Sequence, residues 1–243
     1  MQKKRFLFIL ILLFSCKFAF AQVPSWGGGA DQTDFSFGFS FQSVSSYYKI
    51  DKKPNWQAPY FDPGVGHNIT DAVTSITSPN SPGFAVGFLA RYTFTDFLEF
   101  RATPSLVFAD RTVKYTYATA SQNTNSTVPA TDLDFPFSLK LKSERIQDFR
   151  AYMLAGIKYS MAVGSKKNSP DIDPLQAVLR NKAGFGSYEV GLGADIYFEY
   201  FKLSPEIKLS NSFGNLLIPE ANPYSSPLNK LSLHTVTISL IFE

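Results

Sequence analysis

The stretch Leu231–Glu243, LSLHTVTISLIFE, carries the pattern that decides the fold. Its apolar residues occupy every second position, and the residues between them, Thr235, Thr237 and Ser239, are small and polar. A β-strand with one apolar and one polar face gives this alternation. The same alternation is found in soluble β-sandwiches and in membrane barrels, so the rest of the chain must decide between them.

The sequence of residues 1–21 is typical of an export signal. Three basic residues at positions 3–5 precede an apolar run from 6 to 14, and Ala19-Phe20-Ala21 supplies the small residues that signal peptidase reads. These small residues predict cleavage before Gln22. The apolar run is far shorter than the roughly 20 residues of a spanning helix, so we predict no membrane anchor here. Cys16 leaves a lipoprotein as the alternative interpretation.

Removal of the signal changes the charge of the chain. Of 23 basic residues, four lie in residues 1–21, so 19 remain against 20 acidic residues, a net charge of −1. The basic balance of the whole chain therefore belongs to the export signal and does not indicate a nucleic-acid partner, so we predict none. The only cysteine leaves with the signal, which excludes a disulfide in the mature chain. Aromatic residues make up 16% of the chain and favour strands.

Alternating apolar residues predict eight strands. The third strand changes phase at Asp110-Arg111, which predicts a β-bulge, with a separate hairpin as the alternative. The predicted strands cover, approximately, residues 34–48, 84–92, 98–117, 133–141, 151–161, 188–198, 201–209 and 231–243.

The connections between these strands alternate in length. Short turns lie at Thr95-Asp96, at 143–148 and at Glu199-Tyr200, whereas the other four connections are long and polar. Barrels of the outer membrane have short periplasmic turns and long external loops. The sequence therefore predicts an all-β, eight-stranded antiparallel up-and-down transmembrane β-barrel over residues 34–243, with both termini periplasmic. The predicted external loops are 49–82, 118–130, 163–184 with a short helix near 174–180, and 211–230.

A flexible, glycine-rich lead-in, residues 22–33, is predicted to join the cleavage site to the first strand. The apolar faces of the strands are predicted to meet outer-membrane lipid. A lipocalin-like soluble barrel, with the apolar faces inward, is the alternative. Aromatic side chains favour the membrane, because they fall near strand ends in two groups, as interface girdles do. One group is Phe94, Phe97, Phe149, Phe198, Tyr200, Phe201 and Phe242, and the other is Tyr47, Tyr48, Tyr115, Tyr117 and Tyr159.

The predicted interior holds charges of both signs, which indicates a paired, hydrogen-bonded plug rather than an ion path. Its charged residues are Glu99, Arg101, Asp132, Asp134, Lys140, Lys158, Glu189, Asp195, Lys202, Glu206 and Lys208.

Catalytic patterns are sparse, and we predict no catalytic, cofactor-binding or metal-binding residues, no small-molecule substrate and no enzyme activity. His67, with Asp62, Asp71 and Ser75 or Ser78, lies in a polar loop that nothing in the sequence orders. His234 is predicted to be a satisfied or interfacial histidine. Gly191-Leu192-Gly193 lies within a strand pattern, where glycines suit a narrow lumen better than a phosphate loop.

Four runs of the chain resemble the PorT family: LEFRATPSLVFADRTVKY from Leu98, LDFPFSLKLKS from Leu133, SYEVGLGADIYF from Ser187 and YFKLSPEIKLSNSFGNLLIP from Tyr200. PorT proteins are outer-membrane barrels of the Bacteroidota type IX secretion system. The resemblance, over roughly 84–243, implies a non-enzymatic part in the export of folded cargo, and in gliding in some species, with other secretion-system components as partners. A stand-alone small barrel with a structural, adhesive or acyl-transferring role is the alternative.

Overall fold

The structure is a computed structural model that describes residues 31, 33–128, 131–163 and 179–243. The predicted signal peptide and most of the lead-in lie outside these residues, as does the helix predicted near 174–180 except for its last two residues. The strands are β1 Phe35–Lys52, β2 Phe61–Asp62, β3 His67–Asn68, β4 Val73–Thr77, β5 Ser81–Thr93, β6 Leu98–Ala102, β7 Ser105–Ala109, β8 Arg111–Tyr117, β9 Thr124–Val128, β10 Thr131–Lys142, β11 Phe149–Ala162, β12 Gly184–Tyr197, β13 Lys202–Ser212 and β14 Leu228–Phe242.

Eight strand positions form a closed antiparallel ring. Its order is β1-β14-β13-β12-β11-β10-β6/β7-β5, and it closes because β1 pairs with both β14 and β5. Barrel strands that follow one another along the chain are therefore also neighbours around the ring, as in an up-and-down barrel. The predicted fold class is confirmed.

Strands β6 and β7 occupy one position in this ring. Ala90 pairs with Ala102 and Gly87 with Ser105, so the register on β5 is the same before and after the break. The break falls at Pro104, which has no N–H to donate to the ladder. The third predicted strand is thus one barrel strand that a proline interrupts.

The change of phase at Asp110-Arg111 marks a change of sheet. After Ala109 the chain continues as β8, which leaves the barrel and pairs with β4 and β9 in a separate three-stranded sheet. The predicted bulge in a continuing barrel strand was therefore wrong. The alternative prediction, a separate hairpin, agrees with the pairing of β8 and β9. However, the residues of β9 were predicted to be part of a loop.

The two ends of the barrel differ as predicted. We call the end with connections 94–97, 143–148 and 198–201 the turn end, and the opposite end the loop end. The first strand starts and the last strand finishes at the turn end. Several strands extend further towards the loop end than the alternation indicated. For example, β1 continues to Lys52 and β14 begins at Leu228.

The orientation of the strand faces is confirmed. Large apolar side chains cover the outside, where Phe88 is 74% exposed and Leu192 is 61% exposed. Ten of the eleven charged residues predicted for the interior are buried, and the eleventh, Lys158, is half-buried. This arrangement suits a lipid exterior, because water would not stabilise such an apolar wall.

An apolar core lies at the loop end, and we call it the apolar cap. It joins the sheet of β4, β8 and β9 to the long connections near Leu179 and Leu216 and to the ends of β1 and β14. Tyr115 Oη donates to the carbonyl of Tyr224 at 2.8 Å. The predicted girdle at this end is thereby corrected: the side chains of Tyr48, Tyr115 and Tyr117 are buried in the cap and do not face the barrel exterior.

Candidate functional site

A network of buried charges fills the lumen near the turn end. Lys140 Nζ lies 2.8 Å from Asp195 Oδ2 and 3.2 Å from Glu99 Oε1. Lys142 Nζ lies 3.1 Å from the other oxygen of Glu99, and Ser204 donates its hydroxyl hydrogen to Asp195 at 2.6 Å. Asp195 therefore accepts hydrogen bonds from both Lys140 and Ser204, whereas Glu99 is compensated by ion pairs with the two lysines.

A second part of the network centres on Glu206. Arg101 donates to Glu206 Oε2 at 2.8 Å, and both side chains are almost completely buried. Tyr152 Oη donates to the same oxygen at 2.9 Å, while Lys208 Nζ lies 3.5 Å from the other oxygen. Gly193 leaves room for this arrangement, since a Cβ there would lie 2.5 Å from the ring of Tyr152.

Asp31 of the lead-in is held in the mouth of the barrel at the turn end. Its carboxylate lies 3.1 Å from Lys202 Nζ, 3.3 Å from Arg91 and 3.6 Å from Arg150, and it accepts a hydrogen bond from Tyr197. These four partners come from four different barrel strands, β5, β11, β12 and β13. The chain just before the first strand is thereby tied across the opening.

The charge of Asp31 is maintained by its partners. Burial alone raises the pKa of this carboxyl, but Lys202, the hydrogen bond from Tyr197 and Arg91 outweigh burial, and the pKa lies well below its usual value. A carboxyl with a lowered pKa in the folded state stabilises that state fully when the pH is above the ordinary carboxyl pKa. This stabilisation is lost as the pH falls through the lowered pKa. The contact should therefore persist at neutral and mildly acidic pH.

Five charged members of the turn-end network are absent from the set predicted from the sequence, namely Asp31, Arg91, Lys142, Arg150 and Glu243. Arg91 is buried and pairs with both Glu99 and Glu243, and Glu243 also lies 2.9 Å from Lys202 Nζ. Arg150 donates to the carbonyl of Asp96 at 2.5 Å. A signal for Arg91 was present, because it alternates with the apolar residues of its strand. Glu243 follows the last strand and offered no such signal.

Fewer charges lie in the half of the lumen nearer the loop end. Arg111 donates to Asp132 at 2.5 Å, and Lys158 Nζ lies 3.0 Å from Asp134. Between these pairs is a cavity of about 20 Å³, which also contacts Glu189 and Lys208. Such a volume has room for about one water molecule. The described residues thus fill the lumen much as the sequence predicted.

The structure does not assemble a catalytic group around His67. Its Nδ1 lies 3.1 Å from the carbonyl of Val65, while Asp62 binds the N–H of Gly64. Ser78 donates to the carbonyl of Thr112 and accepts from the N–H of Tyr48, so it has a structural role in joining β1 to β8. A polar loop remains the better interpretation.

His234 is a satisfied histidine at the loop end. Its Nδ1 lies 2.6 Å from the side-chain oxygen of Asn211, and its ring lies 5.0 Å from that of Tyr47. The described residues contain no group of three His, Cys, Asp or Glu side chains arranged to hold a metal ion. Among the same residues, no helix is long and apolar enough to cross a membrane.

A closed ring of eight strands, an apolar wall and a lumen filled with paired charges define a small transmembrane β-barrel. The sequence matches the family model described as "Outer membrane protein beta-barrel domain" over residues 20–217. The chain belongs to this family, and membership fits a location in the outer membrane. No curated protein matches the sequence.

Three solved structures are similar to this chain at low sequence identity. OprG from Pseudomonas aeruginosa is 13% identical, with a TM-score of 0.48, and the match covers 86% of this chain and 93% of that one. Neisserial surface protein A is 9% identical, with a TM-score of 0.42 and coverages of 86% and 98%. Ail of Yersinia pestis is 11% identical, with a TM-score of 0.35 and coverages of 85% and 96%.

The filled lumen predicts that the barrel does not conduct. Purified protein in planar bilayers should show no large, steady current, because paired side chains and the apolar cap occupy the space that ions would use. Single-channel recording checks this expectation, with a porin as the positive control. Ohmic channels of porin size would contradict the plugged interior.

Proposed function

We propose that this protein is a non-enzymatic component of the type IX secretion system that is needed for export of folded cargo. The observation that carries the proposal is the resemblance of four runs to the PorT family, above all the run from Tyr200 to Pro219. The filled lumen supports a role in assembly or docking rather than transport through this barrel. Partners are then other secretion-system components and outer-membrane lipid.

The run that resembles PorT most specifically has a structural role in this chain. Gly214 has a φ of +69°, a conformation that favours glycine. The side-chain oxygen of Asn215 accepts from the N–H groups of Leu217 and Leu231, at 3.0 and 2.9 Å, and Leu216 is fully buried in the cap. We therefore infer that the resemblance reflects a shared cap, and that partners dock around it.

The proposed topology places the turn end in the periplasm and the loop end outside the cell. Cysteines at the exposed positions Asn80 and Asn125 should then be labelled in intact cells by a membrane-impermeant maleimide. Asn222 is unsuitable, because it is buried and its side chain caps a turn, so Ala221 replaces it. Lys167, a further predicted external position, lies outside the described residues. Labelling at Asp96 and Gln147 instead would reverse the topology.

The first long connection is the proposed docking element. Shortening it throughout 49–82 would damage the barrel and the cap, since β1 extends to Lys52, and Val73 and Ile76 belong to the cap core. A sharper variant replaces the exposed hairpin 61–68 with Asn-Gly, because Ile69 N already donates to Tyr60 O at 3.0 Å.

We expect this hairpin variant to insert normally, as judged by heat-modifiable gel mobility, while secretion of several unrelated folded cargo proteins decreases. The matched control, Val65→Ser, keeps the hairpin and should secrete normally. Normal secretion by the hairpin variant would shift the docking element to the lipid-facing wall or the lead-in. Normal secretion by a strain that lacks the gene would overturn the proposed function itself.

A stand-alone barrel with a structural or adhesive role is the second candidate. The folded cap favours it, because a sheet separate from the barrel offers a binding surface that does not require a secretion partner. Deletion would then alter the envelope or attachment and leave secreted proteins unchanged.

A further inference from the structure

A cavity of about 190 Å³ lies at the loop end between the first and the last long connections. Three aromatic residues, Trp56, Tyr60 and Phe61, contribute to its walls. Three prolines also line it, namely Pro59, Pro223 and Pro227. No lining residue carries a charge, so the cavity combines apolar rings with a few neutral polar groups.

Hydrogen bonds within the protein hold the walls of this cavity in place without a ligand. Lys53 N donates to the carbonyl of Pro227 at 3.0 Å, which joins the first connection to the last. Tyr60 N donates to Thr70 Oγ1 at 3.0 Å, and this contact fixes the segment that carries the tyrosine ring. A preformed site binds with a smaller entropic cost than one that must be ordered.

Two features of the walls indicate the chemistry of a ligand. Lys52 Nζ lies 4.0 Å from the centre of the Trp56 ring, so a cation covers one face of the indole and holds it in place. Asn55 and Ser226 also line the cavity, and neither makes a side-chain hydrogen bond to another described residue. An amide and a hydroxyl can each donate and accept.

We propose that this cavity binds one neutral sugar ring. A sugar ring has an apolar face of C–H groups and a rim of hydroxyls, which match the aromatic walls and the polar side chains. The volume is below the roughly 300–1,000 Å³ of sites for drug-sized molecules, so it fits a single ring. None of the lining residues is charged, so the walls themselves offer an anionic ligand no ion pair.

A proline-rich peptide fits this cavity less well. Such peptides advance by about 3.1 Å per residue and dock along extended grooves rather than in a single small cavity. The proposal does not depend on a secretion role, because it uses only the walls of the cavity. It adds a ligand that the sequence did not predict, since the lining residues come from two connections about 150 residues apart.

The test uses tryptophan fluorescence of the full mature chain. Trp26 and Trp56 are its only tryptophans, so Trp26→Phe leaves one reporter, in the cavity. Methyl glucoside, methyl mannoside and N-acetylglucosamine are titrated separately, and we expect saturable changes with dissociation constants near the millimolar range for at least one.

Tyr60→Ala in the same background should weaken that binding at least tenfold. The matched control is Phe213→Ala, which removes an exposed aromatic ring at the same end that does not line the cavity, and its affinity should not change. The absence of a saturable response to all three sugars would overturn the proposal, as would equal losses in the two variants. Tighter binding of tetraproline or glucuronate would overturn it in favour of a peptide or an anion.

Discussion

Glu206→Ala should destabilise the barrel by about 3–5 kcal/mol, because it leaves a buried charge without its partner. The carboxylate of Glu206 accepts from Arg101 at 2.8 Å and from Tyr152 at 2.9 Å in a region that solvent hardly reaches. Urea titration of the folded protein in lipid vesicles, followed by heat-modifiable gel mobility, measures the free energy of unfolding.

Two control variants separate the buried charge from simpler effects. In the double variant Arg101→Met and Glu206→Leu both charges are absent, so most of the loss should be recovered. Asp148→Ala breaks the Arg145–Asp148 pair at the surface, where Asp148 is 76% exposed, and should cost no more than about 1 kcal/mol. If the double variant is as unstable as Glu206→Ala, the loss does not arise from an unpaired Arg101.

The barrel was predictable from the sequence because its strands obey a single rule. Alternation assigns each residue to lipid or lumen, and it therefore identified charged lumen residues such as Lys140 and Asp195 before any contact was known. The ion-pair partners were not predictable. They join residues distant along the chain, as between Asp31 and Lys202, and depend on the curvature of the closed ring.

The cap was less predictable, for a different reason. Its strands β4, VTSIT, and β9, TNSTV, are five residues long and rich in Thr and Ser, so they resemble polar loops. They become strands because β8 lies between them and pairs with both. Val73 and Ile76 of β4 also pack in the core of the cap. Tertiary packing, rather than local pattern, determines these elements.

The contrast between tertiary packing and local sequence pattern also explains why the candidate ligand cavity was not predicted. Trp56 and Tyr60 appeared in the sequence as isolated aromatics in a polar connection, with no period to indicate a common surface. The rings and prolines come together because this connection contacts Pro227, near the start of the last strand.

Val190→Arg should destabilise the barrel by about 2–4 kcal/mol if the outer wall contacts lipid, because the charge would then lie near the bilayer midplane. Val190 is 47% exposed and lies mid-strand in β12, where it pairs with Ala155 and Leu209. The equivalent change of Leu106, also on the outer wall, should have a similar effect. Unfolding in vesicles provides the measurement.

Depth in the membrane provides the control for this substitution. Tyr200→Arg introduces the same charge at an 81% exposed position in the turn 198–201, where the cost near an interface falls to about 0–1 kcal/mol. A soluble barrel would give a different result, since an arginine on a water-exposed wall usually changes stability by less than about 0.5 kcal/mol. Equal, small effects at Val190 and Tyr200 would therefore contradict a lipid-facing wall, whereas a large effect at Val190 alone requires one.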